Sequence, residues 1–197
     1  MDPQTVHASV WRRIAVETCR HRRVLYGLPW SRVRLRLRAH SGHLGPVDIA
    51  VGRIAMVADP TGAPFYLMSP RPPAGQKDAT SDVFDRKAVQ RVSWNELATS
   101  DLERAKAFYA KHFDFRFERE LDMGKQGPYC FIEHAGQQIG AMMRAPAPGV
   151  SRWSFAFRTK GTIGAARRTV EASGGKVIVP PHQVPGGDFI VICDDPQ

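Results

Sequence analysis

Residues 92–113 read VSWNELATSDLERAKAFYAKHF, and this stretch decides the fold. Alternation over 92–99 predicts a strand with Trp94, Glu96 and Ala98 on one face. Ser100 followed by Glu103 matches a capping box, which predicts that a helix begins there. The helix then carries an apolar face made of Leu102, Ala105, Phe108, Tyr109 and Phe113. A strand that runs directly into an amphipathic helix indicates an α+β domain.

The strand–helix pattern occurs twice. After the first helix, residues 116–121, 129–134 and 138–143 are predicted as strands. The second unit has a strand at 153–158, a weaker helix at 162–173 that ends at Gly174-Gly175, and strands at 176–179 and 188–193. The first unit is therefore β-α-β-β-β and the second β-α-β-β. We expect the domain to lack its final strand.

An internal repeat explains this deficit. Residues 45–61 resemble residues 181–197 at a constant offset, and the strand Phe65–Met68 follows the first copy, whereas the sequence ends after the second. Four zones result: an Arg-rich head of uncertain structure (1–43), the tail of an earlier domain (44–69), a Pro-rich linker (70–88) and the main domain (89–197). We expect Phe65–Met68 to fill the open sheet edge, within one chain or by strand exchange in a homodimer.

The composition excludes a membrane protein. No apolar run approaches the ~18 residues of a membrane span, and the first residues lack the order of a secretory signal. Three cysteines, Cys19, Cys130 and Cys193, show no CxxC spacing and are predicted to be free thiols. We therefore expect a soluble, cytoplasmic protein.

The net charge of +9 is concentrated in the head. Nine of the 28 basic residues but only two of the 19 acidic ones precede residue 44. The strand-like run Arg32–Ala39 has one basic face and is compatible with non-specific phosphate binding. The alternative is a frameshift or a misplaced start in a GC-rich gene, since many GC-rich codons encode Arg. We favour the second interpretation, so nucleic acid is a disfavoured partner.

Residues 91–197 resemble the vicinal oxygen chelate superfamily, which includes glyoxalase I, extradiol dioxygenases and bleomycin-resistance proteins. The likeness is strongest to its tandem-domain members. It implies paired βαβββ modules whose mixed sheet curls around a cleft. The residues that carry it are Trp94-Asn95-Glu96-Leu97, Thr99, Asp101-Leu102-Glu103, Ala107-Phe108-Tyr109, Gly174-Gly175-Lys176-Val177 and the Asp-Pro turns at Asp59 and Asp195.

The resemblance also implies a divalent metal held by His, Gln or Glu. The expected ligand positions fall at Trp94, Trp153 and Gly140, and the fourth on the missing strand, where the earlier copy has Tyr66. An indole N–H offers no lone pair and glycine has no side chain. We therefore expect no metal and no other cofactor.

The function predicted from these features is metal-independent binding of a small molecule, for sequestration or sensing. The planar or amphipathic ligand would lie in an aromatic cleft. The alternative is a glyoxalase-like lyase or dioxygenase with the atypical metal ligands Glu96, Gln138 and His134, and a second alternative is nucleic-acid binding through the head. The candidate ligand-binding residues are Trp94, Glu96, Trp153, Phe155, Met142 and Gln138.

Overall fold

The computed structural model of the chain describes the backbone of residues 5–8 and the residues 45–72, 74–75, 82–146 and 150–196. Two α-helices follow strands of a mixed eight-stranded sheet, and a smaller three-stranded sheet accompanies it, so the predicted α+β class is confirmed. The predicted strand Arg32–Ala39 lies outside the described residues, and so does Cys19.

The element order reproduces the two predicted units. The predicted strand at 116–121 is reduced to three residues, although Arg116 still forms an isolated bridge with Glu133. The strands are β1 (Thr5–Ala8), β2 (Val47–Ile49), β3 (Gly52–Ala58), β4 (Pro64–Pro70), β5 (Val92–Thr99), β6 (Glu120–Asp122), β7 (Pro128–His134), β8 (Gln137–Arg144), β9 (Arg152–Arg158), β10 (Lys176–Gln183) and β11 (Phe189–Asp194). The helices are α1 (Leu102–Phe113) and α2 (Ile163–Ala172), with a short 3-10 turn at Gly124–Gln126.

Helix α1 begins one residue later than the capping-box pattern predicts. Its N-cap is Asp101, whose side chain accepts a hydrogen bond from the Arg104 N–H at 3.1 Å. Ser100 instead lies within hydrogen-bond distance of Ser151, at 3.2 Å between the two hydroxyl oxygens. Helix α2 starts at the Thr162 cap, and Gly174 follows it in the left-handed region, at a φ of 85°, as predicted.

Eight strands form the main sheet, in the order β10-β11-β1-β9-β5-β8-β7-β6. Its centre is the antiparallel pair β5 and β9, and β8 lies parallel to β5 on the other side. The remaining strands form a separate three-stranded sheet, β2-β3-β4. The first strands of the two units therefore lie side by side, and the residues they present to each face are neighbours in space.

The main core lies between the eight-stranded sheet, α1 and the hairpin β3-β4. Leu97 is opposite Trp153 in the β5–β9 pair, and both belong to this core. Phe65 of β4 is 1% exposed and packs with its ring centroid 5.7 Å from that of Phe113 and 5.8 Å from that of Tyr109. The segment interpreted as the tail of an earlier domain thus shares a core with the main domain.

The open position beside β9 is occupied by β1, so the expectation that Phe65–Met68 fills it within one chain is wrong. β1 pairs antiparallel with β9 and parallel with β11. Its counterpart in the first unit, β8, runs the other way, parallel to β5 and antiparallel to β7. The strand Phe65–Met68 belongs to β4 and pairs with β3, because its apolar side chains are buried against α1. The gap is therefore filled by a strand of reversed direction.

Candidate functional site

The face of the main sheet opposite α1 carries a wall of three aromatic rings, Trp94, Tyr129 and Phe131, which we call the aromatic wall. The Trp94 and Phe131 rings meet edge to face at 6.2 Å, and the Tyr129 and Phe131 rings at 5.6 Å. All three side chains are half-buried. Edge-to-face packing is the favoured geometry for such pairs, so the wall is a preformed apolar surface.

The register of β5, β8 and β7 explains how the wall forms. Glu96 and Phe131 are both paired with Ala141 of β8, which lies between them. Tyr129 follows on the same face of β7 by strand alternation. The small side chain of Ala141 leaves space, and the Tyr129 hydroxyl reaches across it to Glu96.

A hydrogen-bonded chain ties the wall to a carboxylate. The Trp94 Nε1–H donates to the Tyr129 hydroxyl at 2.9 Å, and that hydroxyl donates to Oε2 of Glu96 at 2.6 Å. Burial, followed by the neighbouring Glu96 charge, raises the pKa of Tyr129 well above its ordinary value. The phenol therefore stays protonated as a donor, and one oxygen of Glu96 is engaged by it.

Two exposed arginines cover ring faces of the wall. The Arg86 guanidinium lies 5.2 Å from the Trp94 ring centroid, and it donates to Oε1 of Gln138 at 3.0 Å. The Arg119 guanidinium lies 5.4 Å from the centroid of Phe131. Arg86 belongs to the predicted linker 70–88, but residues 84–86 contact the domain, since Phe84 forms a bridge with Val92. That part of the linker therefore contributes to the site.

Three of the predicted site residues are brought together and three are not. Trp94 and Glu96 share the face of the wall, and Gln138 joins them through Arg86. Trp153, Phe155 and Met142 lie on the opposite face, in or against the core beneath α1. The six residues therefore do not line a single cleft, and that part of the prediction is wrong. The reason is register: Trp153 is opposite Leu97, and Phe155 opposite Asn95, so both side chains point away from the Trp94 face.

Trp153 takes part in a second hydrogen-bonded chain within the core. Its Nε1–H donates to the Tyr109 hydroxyl at 2.8 Å, and that hydroxyl donates to Oδ2 of Asp59 at 3.1 Å. The other oxygen of Asp59 accepts from the backbone N–H groups of Thr61 and Ala63 and from the Thr61 hydroxyl. Burial, with the Asp59 charge, raises the pKa of Tyr109 well above its ordinary value. This chain joins β9, α1 and the turn between β3 and β4.

The residues present do not fit the divalent metal that the resemblance implies. The described residues hold no cluster of three or more His, Cys, Asp or Glu side chains suited to a metal ion. A Cβ placed at Gly140 would collide with the backbone carbonyl oxygen of Asn95, so no ligand side chain fits that position without a shift of the strands. The atypical set is not assembled either, because His134 is buried on the core side of β7.

His134 instead borders a separate cavity of about 520 Å³ near the end of α1 and the β7–β8 turn. Its ring packs edge-on against Phe115, with the centroids 5.6 Å apart. Residues Asp114, Arg116 and Glu133 also line this cavity.

Four site residues escaped the sequence prediction: Tyr129, Phe131, Arg86 and Arg119. The first two carry a usable signal, since alternation along 129–133 places them on one face and Cys130 and Ile132 on the other. No comparable local pattern marks the two arginines, because they approach the wall from outside the strands that form it.

Two further predictions concern the cysteines and membrane-spanning segments. Cys130 and Cys193 are free and buried, and burial raises the pKa of each thiol. Within the described part of the chain, none of the helices has both the length and the apolar character needed to cross a membrane.

Comparison with known proteins supplies relatives for this architecture. A family model described as the Glyoxalase/Bleomycin resistance protein/Dioxygenase superfamily matches residues 91–197. Two curated relatives, each named "Putative glyoxylase CFP32", come from Mycobacterium bovis and Mycobacterium tuberculosis and are 26% identical over 147 residues. The match covers 74% of this chain and 53% of each relative, so the chain spans about half the length of the curated relatives it matches.

Solved structures with a partial likeness include two enzymes. BphC, a halotolerant catechol dioxygenase, aligns with a TM-score of 0.44 and 14% identity. Glyoxalase I from Zea mays aligns with a TM-score of 0.25 and 21% identity. Each alignment covers 78% of this chain and 59% of the other.

Proposed function

Because the chain belongs to the glyoxalase/bleomycin resistance protein/dioxygenase superfamily, we propose that it binds a small planar molecule on the aromatic wall without using a metal ion. Such binding would sequester or sense the ligand. The observation that carries this proposal is the hydrogen-bonded set Trp94–Tyr129–Glu96, half-buried and beside the Phe131 ring. It combines an apolar surface with one oriented charged group, as small-molecule sites do.

The wall offers a ligand both contact area and orientation. Apolar area removed from water contributes about 25 cal/mol per Å², so stacking on one or two of these rings supplies most of the affinity of a small ligand. Glu96 then selects the partner group, since its carboxylate oxygens accept hydrogen bonds from N–H and O–H groups. Its orientation is fixed by the 2.6 Å bond from Tyr129.

Metal independence is supported by the donor set. Trp94 stands where the resemblance expects one ligand, and its only nitrogen donates to Tyr129. Gly140 stands where it expects another, and the neighbouring strand leaves no room for a side chain. Glu96 is the remaining carboxylate of this group, and one carboxylate does not make a site.

The first test is thermal unfolding of the chelated protein with and without added Ni²⁺, Zn²⁺, Mn²⁺ or Fe²⁺. A ligand that binds only the folded state raises the midpoint with its concentration. We expect a cooperative transition that none of these ions moves. A saturable rise with one ion would contradict metal independence and would move the assignment to lyase or dioxygenase chemistry.

The second test locates the ligand. A set of planar aromatic compounds is screened against the wild type, and each compound that binds is tested against Trp94→Leu. Phe189→Leu is the matched control, because Phe189 is an exposed aromatic side chain of β11 that lies outside the wall. We expect binding to be lost in the first variant and retained in the second. Equal binding by both variants would remove the wall from the site.

A further inference from the structure

We propose that the ligand of the aromatic wall carries a planar cation of the guanidinium or amidinium class, and that Arg86 occupies the place of this group in the free protein. The inference rests on the proposed function, since it names the class of molecule that the same wall takes. Its basis is that Arg86 contacts both the Trp94 ring and Gln138, on the sheet face that also holds Glu96.

The contacts of Arg86 define a seat for a flat cation. Its guanidinium lies 5.2 Å from the Trp94 centroid, where the negative face of the ring attracts positive charge. At the same time its Nη1–H donates to Oε1 of Gln138 at 3.0 Å. A ligand with a planar N–H-bearing cation can make both contacts, one through its face and one through its edge.

The surroundings of this seat favour a cation. Glu96 lies two residues from Trp94 on the same face of β5, and its carboxylate is held there by Tyr129. The second ring face, Phe131, also holds a guanidinium, that of Arg119, which comes from a different segment of the chain. Two arginines from different segments of the chain therefore contact neighbouring rings of the aromatic wall.

Arg86 can leave without unfolding its segment. Its side chain is exposed, whereas its backbone is tied to the domain: the Arg86 carbonyl accepts from Nε of Arg158 at 3.1 Å, and the Asp85 N–H donates to the carbonyl of Val92 at 2.9 Å. A change of rotamer is therefore enough to uncover the Trp94 ring. While Arg86 lies over the ring, it competes with the ligand. The apparent affinity of the ligand is then reduced to the fraction of molecules in which the seat is uncovered.

The opposite arrangement is that Arg86 and Arg119 together bind an anion. Benzamidine and benzoate separate the two, because they are flat molecules of nearly the same size and of opposite charge. Their dissociation constants are measured by calorimetry on the wild type, Arg86→Ala, Glu96→Gln and the control Arg104→Ala. Arg104 is an exposed arginine of α1, so this control removes the same charge away from the wall.

We expect benzamidine to bind the wild type more tightly than benzoate does. Arg86→Ala should tighten benzamidine by about two- to fivefold, the range of an exposed cation–π contact expressed as an equilibrium constant. Glu96→Gln should weaken it, and Arg104→Ala should leave it unchanged. Unchanged thermal midpoints in Arg86→Ala would verify that the fold is intact.

Tighter binding of benzoate, weakened by Arg86→Ala, would overturn the cationic ligand and leave the proposed function standing. Benzamidine binding that Trp94→Leu does not alter would overturn both, because the wall would then not be the site. Absence of binding by both probes, to the wild type and to Arg86→Ala, would likewise overturn the seat.

Discussion

Two hydrogen-bonded chains, each made of a tryptophan, a tyrosine and a carboxylate, lie on opposite faces of the β5–β9 pair. On one face Trp94 donates to Tyr129 and Tyr129 to Glu96; on the other Trp153 donates to Tyr109 and Tyr109 to Asp59. The first chain is half-buried. In the second, Trp153 is 5%, Tyr109 1% and Asp59 5% exposed.

The difference in burial indicates which of the two hydrogen-bonded chains stabilises the fold and which is open to a ligand. Asp59 accepts from the Tyr109 hydroxyl, from the Thr61 hydroxyl and from two backbone N–H groups, so its polar capacity is used within the protein. Buried polar groups must be paired in this way, and removal of one partner leaves the others unsatisfied. The half-buried chain has its aromatic faces covered by exposed arginine side chains instead. The enclosed chain therefore holds the fold together, and the open one is suited to a ligand.

The largest expected effect comes from the two tryptophans. Trp153→Ala removes a large buried side chain and leaves Tyr109 without its donor, so it should lower the free energy of unfolding by about 3–5 kcal/mol. Trp94→Ala, its matched partner on the open face, should cost about 1–2 kcal/mol. Urea denaturation measures both values, and equal costs would contradict the separation of the two faces.

The two carboxylates should differ next. Asp59→Ala strands the buried donors of Tyr109, Thr61 and Ala63 and should cost about 2–3 kcal/mol. Glu96→Ala strands one half-buried phenol and should cost less than about 1 kcal/mol. The same denaturation experiment compares them. A greater loss of unfolding free energy in Glu96→Ala than in Asp59→Ala would contradict the assignment of the structural network to the buried face.

The two phenols sharpen the comparison further. Tyr109→Phe should cost about 1–2 kcal/mol, because it removes both a donor to Asp59 and the acceptor of the buried Trp153 N–H. Tyr129→Phe should cost about 0.5 kcal/mol and should instead impair ligand binding, since Glu96 loses the bond that orients it. Tyr66→Phe serves as a control in β4. A Tyr129→Phe variant with unchanged affinity would argue against the role of the open chain.

The smallest effect is a pH dependence above neutrality. Both phenols have a raised pKa in the folded state, so the unfolded chain loses their protons first, from about the ordinary value of 10.0. Their contribution to stability is complete below that pH and falls as the pH rises above it. The free energy of unfolding should therefore decline less steeply between pH 9 and 11 in Tyr109→Phe than in the wild type, in a range set by the tyrosine reference pKa. Parallel curves would show that Tyr109 ionises normally in the folded protein.

Local patterns predicted much of the secondary structure. The alternation of residues 92–99 correctly places Trp94 and Glu96 on one face of β5, and Gly174 follows the second helix in the left-handed conformation, as predicted. These features depend on side chains close in sequence, and their periods can be read directly. The fold class followed from the order of the elements.

Local patterns could not place Trp153, Phe155 and Met142. Within a strand, alternation shows which residues share a face but not which face meets the core. A register shift between Val92 and Trp94, and another between Ile132 and Glu133, also interrupt the count along the neighbouring strands. The six predicted site residues therefore divided between two faces.

By itself the sequence determined the α+β class, the two strand–helix units, the family, and the position of Trp94 and Glu96 on one face of β5. Only the tertiary structure decided that Thr5–Ala8 lies beside β9 in reversed direction, that Phe65 enters the core, and that Arg86 covers Trp94. Each of these contacts joins segments distant in the chain. Such contacts are set by which surfaces are left to be covered once the strands and helices have formed, and no local period encodes that choice.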